Sequence, residues 1–378
     1  MGDTGRVPTP TRFQVDLDAL HHNLDVARRL AGGRKVLAAV KADAYGHGLV
    51  AVARAIEERG DADWLGIAVT DEGTQLRRAG IRLPILKFSP TLPDDLAEAL
   101  AADVTVSVGD LAAVRSLQEA AAAAGRTVDV HLKIDTGMRR VGAEPGEAGA
   151  LAAAVLASPN LRATGAFTHL PVSDVPDGAA FTRAQLDAFG AVVDDLTAVL
   201  GPLPLIHAAN SGAVLGHDLS GTTMVRPGIM IYGSAPDPLT AGGGQLRDVG
   251  RWTSRVTFIK RIHAGETVGY GRTWTAPRDT WIATVAVGYG DGYSRLLSSR
   301  GRMLIDGASY PIVGRICMDQ TMLDLGPATP TVQVGDEVVL MGSSGDERIG
   351  VEELAELMGT ITYEVTCLIT ARVPRDYV

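Results

Sequence analysis

Along the first two thirds of the chain, short apolar runs alternate with Ala- and Leu-rich amphipathic stretches. The runs are KVLAAV (35–40), WLGIAV (64–69), PILKF (84–88), VTVSV (104–108), VDVHLKI (128–134), LRATGAF (161–167), LIHA (205–208) and MVRP (224–227). Their length and β-branched content suit strands buried on both faces, as in a parallel sheet, although a short apolar run alone does not separate strand from helix. Helix-length segments lie between them. LVAVARAIEERG ends on Gly60 and DLAAVRSLQEAAAAAG on Gly125, and a glycine just past the last turn is a common helix stop. Eight such strand–helix units predict an α/β fold, a (β/α)8 barrel over residues 12–240. A doubly wound open sheet is the second choice, because it rarely needs so many units.

The pattern changes near 236–248, a Gly- and Pro-rich stretch that reads as a linker and puts a domain boundary near residue 240. Beyond it, TSRVTFIKRI, TWIATVAVGYG, GRMLIDGASYPIVG, TMLDLG and DEVVLMG are β-rich and separated by glycine turns. They predict a mostly antiparallel C-terminal β domain over 245–378, with one short helix at VEELAELMG (351–359). RFQVDLD (12–18) precedes the barrel and is a candidate extra strand of that domain.

Composition narrows the classes of function. A chain of 378 residues has room for about two domains. The net charge of −9 repels phosphate backbones, so no nucleic-acid partner is expected. No run of 18 apolar residues is present, so no membrane span is expected. The start, MGDTGRVPTPTRF, lacks the apolar segment of a signal peptide, and the two cysteines, Cys317 and Cys367, suit a reducing compartment. A cytoplasmic location follows as the expectation. The chain has only five lysines (Lys35, Lys41, Lys87, Lys133, Lys260) against thirty arginines. Arginine does most surface work that lysine does, but it forms no imine and keeps its proton at neutral pH.

In a barrel, functional groups gather where strands end. Lys41, in AVKADAYGHG, follows the first run. It is either a solvated lysine opening a loop or a nucleophile with a pKa depressed by its apolar surroundings. Lys133 lies in the fifth run itself, and Asp135 and Arg140 follow it in LKIDTGMRRVG. Lys133 suits a structural ion pair, and Arg140 suits either a surface charge or a carboxylate clamp. His169 in AFTHL has no second ligand at metal spacing, so no metal is expected. HAANSGA (207–213) and RPGIMIYG (226–233) follow the seventh and eighth runs, where barrels often bind phosphate. There Ser211 offers a hydroxyl, Gly228 lets the backbone approach an anion, and Arg226 stands beside them. In the β domain, Tyr270 lies in GYGRTW, Tyr289 in VAVGYGDGYSR, and Met318 and Asp319 in GRICMDQT. Tyrosine is a poor base unless cations surround it.

Taken together, AVKADAYGHG, HAANS, VRPGIMIYG, GYGRTW and GRICMDQ resemble, in order, the motifs of the alanine racemase family, pyridoxal 5'-phosphate (PLP) enzymes of fold type III. The likeness runs from about residue 12 to the C-terminus. It implies a small amino-acid substrate, interconversion of L- and D-alanine by two bases, and a supply of D-alanine for peptidoglycan. It implies that Lys41 carries PLP through an imine and is the base for the D-enantiomer, with Tyr270 the base for the L-enantiomer. Tyr45, Ser211, Gly228, Ile229 and Tyr363 match phosphate contacts. Arg226 matches the arginine facing the pyridine nitrogen, and His169 and Asn210 match further cofactor contacts. Arg140 and the Met318 N–H match the holders of the substrate carboxylate, with Lys133, often carbamylated in the family, orienting Arg140. Tyr289 and Asp319 are supporting residues, and Asp174, Arg295 and Arg315 lie near the entrance. His169 and Arg226 are expected to give Tyr270 its cationic neighbourhood. The resemblance also implies a head-to-tail homodimer in which the β domain of one chain caps the barrel of the other. One departure is HLPVSD (169–174), where Pro171 and Val172 replace residues commonly smaller or more polar. A related decarboxylase, a non-catalytic PLP-binding protein and a PLP-free aldolase are the competing readings. GYGRTW and GRICMDQ favour the racemase, and the β domain disfavours the binding protein.

Overall fold

The computed structural model describes residues 9–237 and 243–378. Contacts divide the chain into two compact units: Ala19–Arg247, and the N-terminal segment through Asp18 together with Asp248–Val378. The expected boundary at residue 240 lies outside the described residues.

The chain opens with β1 (Arg12–Val15), then α1 (Leu17–Ala31). The eight barrel strands are β2 (Lys35–Ala39), β3 (Trp64–Ile67), β4 (Ile85–Lys87), β5 (Val104–Val108), β6 (Val128–Lys133), β7 (Leu161–Phe167), β8 (Leu205–His207) and β9 (Met224–Val225). Each apolar run of the sequence became one of them. The connecting helices are α2 (Lys41–Tyr45), α3 (Leu49–Arg59), α4 (Thr70–Arg78), α5 (Leu96–Ala101), α6 (Leu111–Ala123), α7 (Ala148–Leu156), α8 (Ala179–Leu200) and α9 (Ser211–Gly216). The strands pair in parallel in the order β8-β7-β6-β5-β4-β3-β2-β9. The ring closes through the Thr223 N–H to the Ile206 carbonyl and the Arg226 N–H to the Ala209 carbonyl, both 2.8 Å. Leu37, Leu86, Leu205 and Met224 pack together in its interior, each contributing about 1.5–3 kcal/mol by leaving water.

The second unit is built on one long strand, β10 (Gly250–Ile262). A register shift between Val256 and Phe258 divides it. Its first half pairs antiparallel with β1 and with β17 (Glu337–Ser344). Its second half pairs with β13 (Thr280–Val285), which follows the small hairpin of β11 (Thr267–Val268) and β12 (Trp274–Thr275). β14 (Arg302–Ile305), β15 (Ala308–Pro311), β16 (Thr321–Gly326) and β18 (Glu347–Ile349) extend the antiparallel sheet. β19 (Arg375–Tyr377) instead runs parallel to β1. Helices α10 (Val351–Met358) and α11 (Thr362–Cys367) precede it. Phe13 and Trp252 are buried in the core, where Trp252 meets Tyr293 edge-on at 5.6 Å. Of RFQVDLD, only the first four residues form the strand; the next element, α1, begins at Leu17. Among the described residues, no helix is long and apolar enough to cross a membrane.

Candidate active site

Lys41 begins α2, directly beyond β2, and is half-buried. The turn that carries it is left-handed: Ala42, Asp43, Ala44 and Tyr45 have φ of 53°, 54°, 53° and 54°. Such a conformation costs roughly 1–2 kcal/mol for each L-residue with a Cβ, so surrounding contacts must hold it. The Ala44 N–H donates to the Val40 carbonyl at 2.8 Å and the Gly46 N–H to Ala42 at 3.0 Å. The Asp43 carboxylate caps α3 by accepting from the Leu49 N–H at 2.7 Å. The Glu72 carboxylate accepts from the Ala42 N–H at 2.6 Å. Tyr45, at the end of the turn, stacks on Tyr232 with ring centres 4.9 Å apart, and Tyr232 donates to the Ala39 carbonyl at 2.9 Å. The Lys41 amine lies 6.0 Å from the centre of the Tyr45 ring.

The Gly228 backbone meets the Tyr45 hydroxyl, and the loop after β8 holds it there through Ser211. Asn210 caps α9, its side chain accepting from the Ala213 N–H at 3.1 Å and donating to the Leu170 carbonyl at 2.9 Å. This ties the loop after β8 to the loop after β7. Ser211 then accepts from the Gly228 N–H at 2.9 Å and the Met230 N–H at 3.3 Å. A Cβ on Gly228 would lie 2.6 Å from Tyr45 Oη, so only glycine lets the backbone come this close. The Tyr45 hydroxyl thus lies close against the Gly228 backbone, whose N–H the Ser211 hydroxyl holds. Asp174 lies against the same turn, where a Cβ on Gly212 would strike its Cα at 2.9 Å.

Arg226 follows β9 and is buried inside the barrel. It donates to the Thr168 carbonyl at 2.8 Å, the Ala208 carbonyl at 3.0 Å, His207 Nδ1 at 2.9 Å and His169 Nδ1 at 3.4 Å. Burial brings its pKa down to about 9, still above neutrality. A guanidinium only donates, so His207 accepts at Nδ1 and carries its proton on Nε2. That proton goes to His131 Nδ1, 3.0 Å away. His131 must then hold its own proton on Nε2, a buried donor without a hydrogen-bond partner, beside the tilted Trp64 ring at 5.6 Å. Burial first, with Arg226 adding, holds His207 well below its ordinary pKa. Burial likewise brings His131 down to about 3.

His169 is also brought down to about 3, by burial first and then by Arg226, Arg140, Lys133 and Lys41. This corrects one expectation from the sequence. A histidine among four cations stays neutral at pH 7, so His169 supplies no positive charge to any neighbour.

Lys133 ends β6 with its amine on the Ile134 carbonyl at 2.8 Å and 5.3 Å from the centre of the Phe167 ring. Burial and then Arg226 lower its pKa to about 8. Arg140 is exposed, and its N–H donates to Asp135 at 3.1 Å. Burial opposes ionisation of Asp135, yet backbone N–H groups of Arg139, Gly137 and Arg140 outweigh it and hold the carboxyl below its usual range.

The other expected residues lie in the second unit. Tyr270 is 71% exposed, on a turn whose flanking Gly269 and Gly271 have φ of 72° and 73°. Arg315 packs on this turn: a Cβ on Gly271 would lie 3.0 Å from its Nη1. Tyr289 and Gly290 donate their N–H groups to the carbonyls of Cys317 (3.1 Å) and Met318 (2.9 Å). Arg372 clasps Asp319 at 2.7 Å and Asp291 at 3.2 Å, binding the Met318 and Tyr289 turns together. Arg295 is exposed at the start of a short 3-10 turn, and Tyr363 is half-buried on α11. Reading the sequence alone missed Glu72, the His131–His207 pair and Arg372. The histidines did leave a signal, as polar residues inside otherwise apolar barrel strands.

Residues 15–236 match the family described as alanine racemase, N-terminal domain, and residues 249–377 match alanine racemase, C-terminal domain. The chain belongs to the alanine racemase family. An alanine racemase of Cutibacterium acnes is 50% identical over 373 residues, covering 99% of both chains. One from Symbiobacterium thermophilum is 42% identical over 369 residues, 97% of both. The crystal structure of alanine racemase from D-cycloserine-producing Streptomyces lavendulae is 35% identical, with a TM-score of 0.91 over 99% of this chain and 98% of that one. The barrel followed by a mostly antiparallel β domain is thus the architecture of alanine racemases.

Proposed function

We propose that this alanine racemase interconverts L- and D-alanine using PLP bonded to Lys41, and that it supplies D-alanine for peptidoglycan from the cytoplasm. The observation that carries this reading is the rigid left-handed turn bearing Lys41 beside the cradle of Tyr45, Ser211 and Gly228. The residues fit the cofactor. Gly228 leaves no space for a Cβ against Tyr45, so hydroxyls and backbone converge on one small site, as a phosphate ester requires. Ser211, Tyr45, Gly228, Ile229 and Tyr363 would hold the phosphate, with Asn210 fixing the loops. Arg226 would face the ring nitrogen, and with a pKa of about 9 it retains its proton at neutral pH. His169, neutral and bonded to Arg226, would line the same pocket. When bound, PLP supplies an electron sink for negative charge at the substrate Cα.

The rest is the work of the chain's own groups. Arg140 and the Met318 N–H hold the substrate carboxylate, which fixes the Cα–H between two bases. Once the substrate's amine has taken its place on the cofactor, the freed Lys41 amine would remove or return the proton on one side. Tyr270 would remove it as phenolate or return it as phenol on the other. Lys133 orients Arg140 after carbamylation. With a pKa of about 8, roughly a tenth of it is neutral amine at pH 7 and able to react with carbon dioxide. Tyr289 and Asp319 support the Met318 loop, and Asp174, Arg295 and Arg315 lie on the substrate's path. In a head-to-tail homodimer, Tyr270 and Met318 of one copy would complete the barrel site of the other.

A chiral assay tests the reaction: L-alanine with PLP yields D-alanine, and Lys41→Ala and Tyr270→Ala each abolish it. Mixing the two inactive variants restores part of the activity if the sites are composite. Absence of racemisation in the native enzyme, or full activity in Tyr270→Phe, overturns the assignment.

A further inference from the structure

The proposed mechanism leaves one buried carboxylate beside Lys41 unused. Glu72 lies in the first turn of α4 with 8% of its surface exposed. Its oxygens accept three backbone N–H groups: Oε1 from Ala42 at 2.6 Å, Oε2 from Ala68 at 2.8 Å and Val69 at 3.1 Å. The last two close the cap of its own helix. The first reaches 30 residues back along the sequence, to the residue after Lys41.

The first N–H groups of any helical turn lack partners within it. In α2 the later groups bond internally, Ala44 to Val40 and Gly46 to Ala42. The Ala42 N–H is instead taken by Glu72, at the point where the chain enters its left-handed run. Ala42 is also the first residue held at positive φ. The carboxylate therefore joins the end of β3 to the start of the turn, and fixes the peptide from which the Lys41 side chain departs.

We propose that Glu72 is a positioning residue for Lys41: its carboxylate pins the Ala42 N–H and so aims the amine at its bonding partner. The inference rests on Lys41 being the residue that bonds PLP. A glutamine cannot replace the carboxylate. It accepts through one oxygen only, and its NH2 would face a backbone N–H.

The test compares two ligands of the apoenzyme. PLP carries the aldehyde that Lys41 bonds. Pyridoxamine 5'-phosphate has the same ring and phosphate but no aldehyde. Glu72→Gln is expected to weaken PLP at least tenfold and to leave pyridoxamine phosphate within twofold. Asp110→Ala, which removes the side-chain cap of α6 at Ala113, is the control and should change neither. Adding Ala42→Gly to Glu72→Gln should recover at least threefold of the lost PLP affinity, because glycine takes positive φ without a Cβ clash. Equal weakening of both ligands makes Glu72 a structural cap only, and unchanged PLP binding removes it from the site. Either result overturns the proposal. If Glu72→Gln does not fold, Glu72→Asp, one methylene shorter, gives the same readout: selective loss of PLP supports the proposal and parallel loss overturns it. Failure of the functional reading has its own signature. Borohydride then leaves Lys41 of the native enzyme without a cofactor adduct, and the proposal falls with it.

Discussion

Replacing Gly228 with alanine puts a methyl group where the barrel has no space. The new Cβ would sit 2.6 Å from Tyr45 Oη and 3.3 Å from Cζ, closer than the ordinary contact range of 3.4–4 Å. Tyr45 has little freedom to move away. It is 7% exposed, its ring is stacked on Tyr232, and its backbone belongs to the strained turn. Overpacking of this kind costs about 1–3 kcal/mol. The apoenzyme should lose that much unfolding free energy. Displacing the Tyr45 hydroxyl from the phosphate should cost PLP affinity on the same scale, roughly 5- to 150-fold, since 1.4 kcal/mol is a factor of ten. Urea unfolding of the apoenzyme and a PLP titration measure the two effects separately. Tyr45→Phe removes the atom that the methyl strikes. The double variant should therefore regain stability relative to Gly228→Ala alone but not affinity, with a coupling of about 1 kcal/mol or more. Strictly additive stabilities would mean that no clash exists at this position, and the account of the cradle would be wrong.

His131 and His207 are held neutral below their ordinary pKa, so the unfolded chain binds more protons than the folded one below pH 6.5; their contribution is intact above that pH and lost as the pH falls. Unfolding free energy should drop with a slope approaching about 2.7 kcal/mol per pH unit from this pair, and an unchanged slope in His131→Phe would contradict the assignment. Gly288→Ala would put a Cβ 2.2 Å from the Cys317 carbonyl oxygen and 2.4 Å from that of Met318; backbone cannot yield as a side chain can, so a loss of about 3 kcal/mol or more is expected, and a melting temperature equal to the native one refutes it. Arg372→Gln unties Asp319 from Asp291 and should raise KM for alanine roughly three- to tenfold with little change in kcat; unchanged KM removes the Met318 loop from substrate binding.

The barrel was readable because each strand is a continuous apolar run, and burial on both faces demands that pattern wherever the strand sits. The rule that function gathers at strand ends then picked out Lys41, Lys133, His169, Ser211 and Arg226 without geometry. The left-handed turn was not readable. Ala, Asp, Ala and Tyr carry no common preference for positive φ, and the group that holds the first of them, Glu72, lies 30 residues away. Local propensity cannot see a constraint of that range. The charge of His169 failed for a related reason. A sequence shows a titratable ring near arginines, but only burial and the number of surrounding cations determine whether it keeps its proton.

The scarcity of lysine raised the same question of all five, and outside the Lys41 turn the environment separates the other four into three kinds. Lys35 and Lys260 are exposed, and nothing in their surroundings distinguishes them from surface arginines. Lys87 is as buried as Lys133, at 3% against 5% exposure, so burial alone does not mark a chemical lysine. What differs is the company. The Lys87 ammonium donates to the carbonyls of Ser89 at 3.2 Å and Pro90 at 2.6 Å, and Asp95 and Glu72 oppose the lowering of its pKa by burial. It is solvated by the fold as a cation and ties a loop. Lys133 has the Ile134 carbonyl and is pressed by Arg226 and Arg140, with Asp135 the one opposing charge, and its pKa falls to about 8. An arginine at Lys87 would keep the same carbonyl partners in kind. An arginine at Lys133 would add a third permanent cation beside Arg226 and Arg140, whereas a lysine there can shed its charge, and that is the property a carbamylated residue needs.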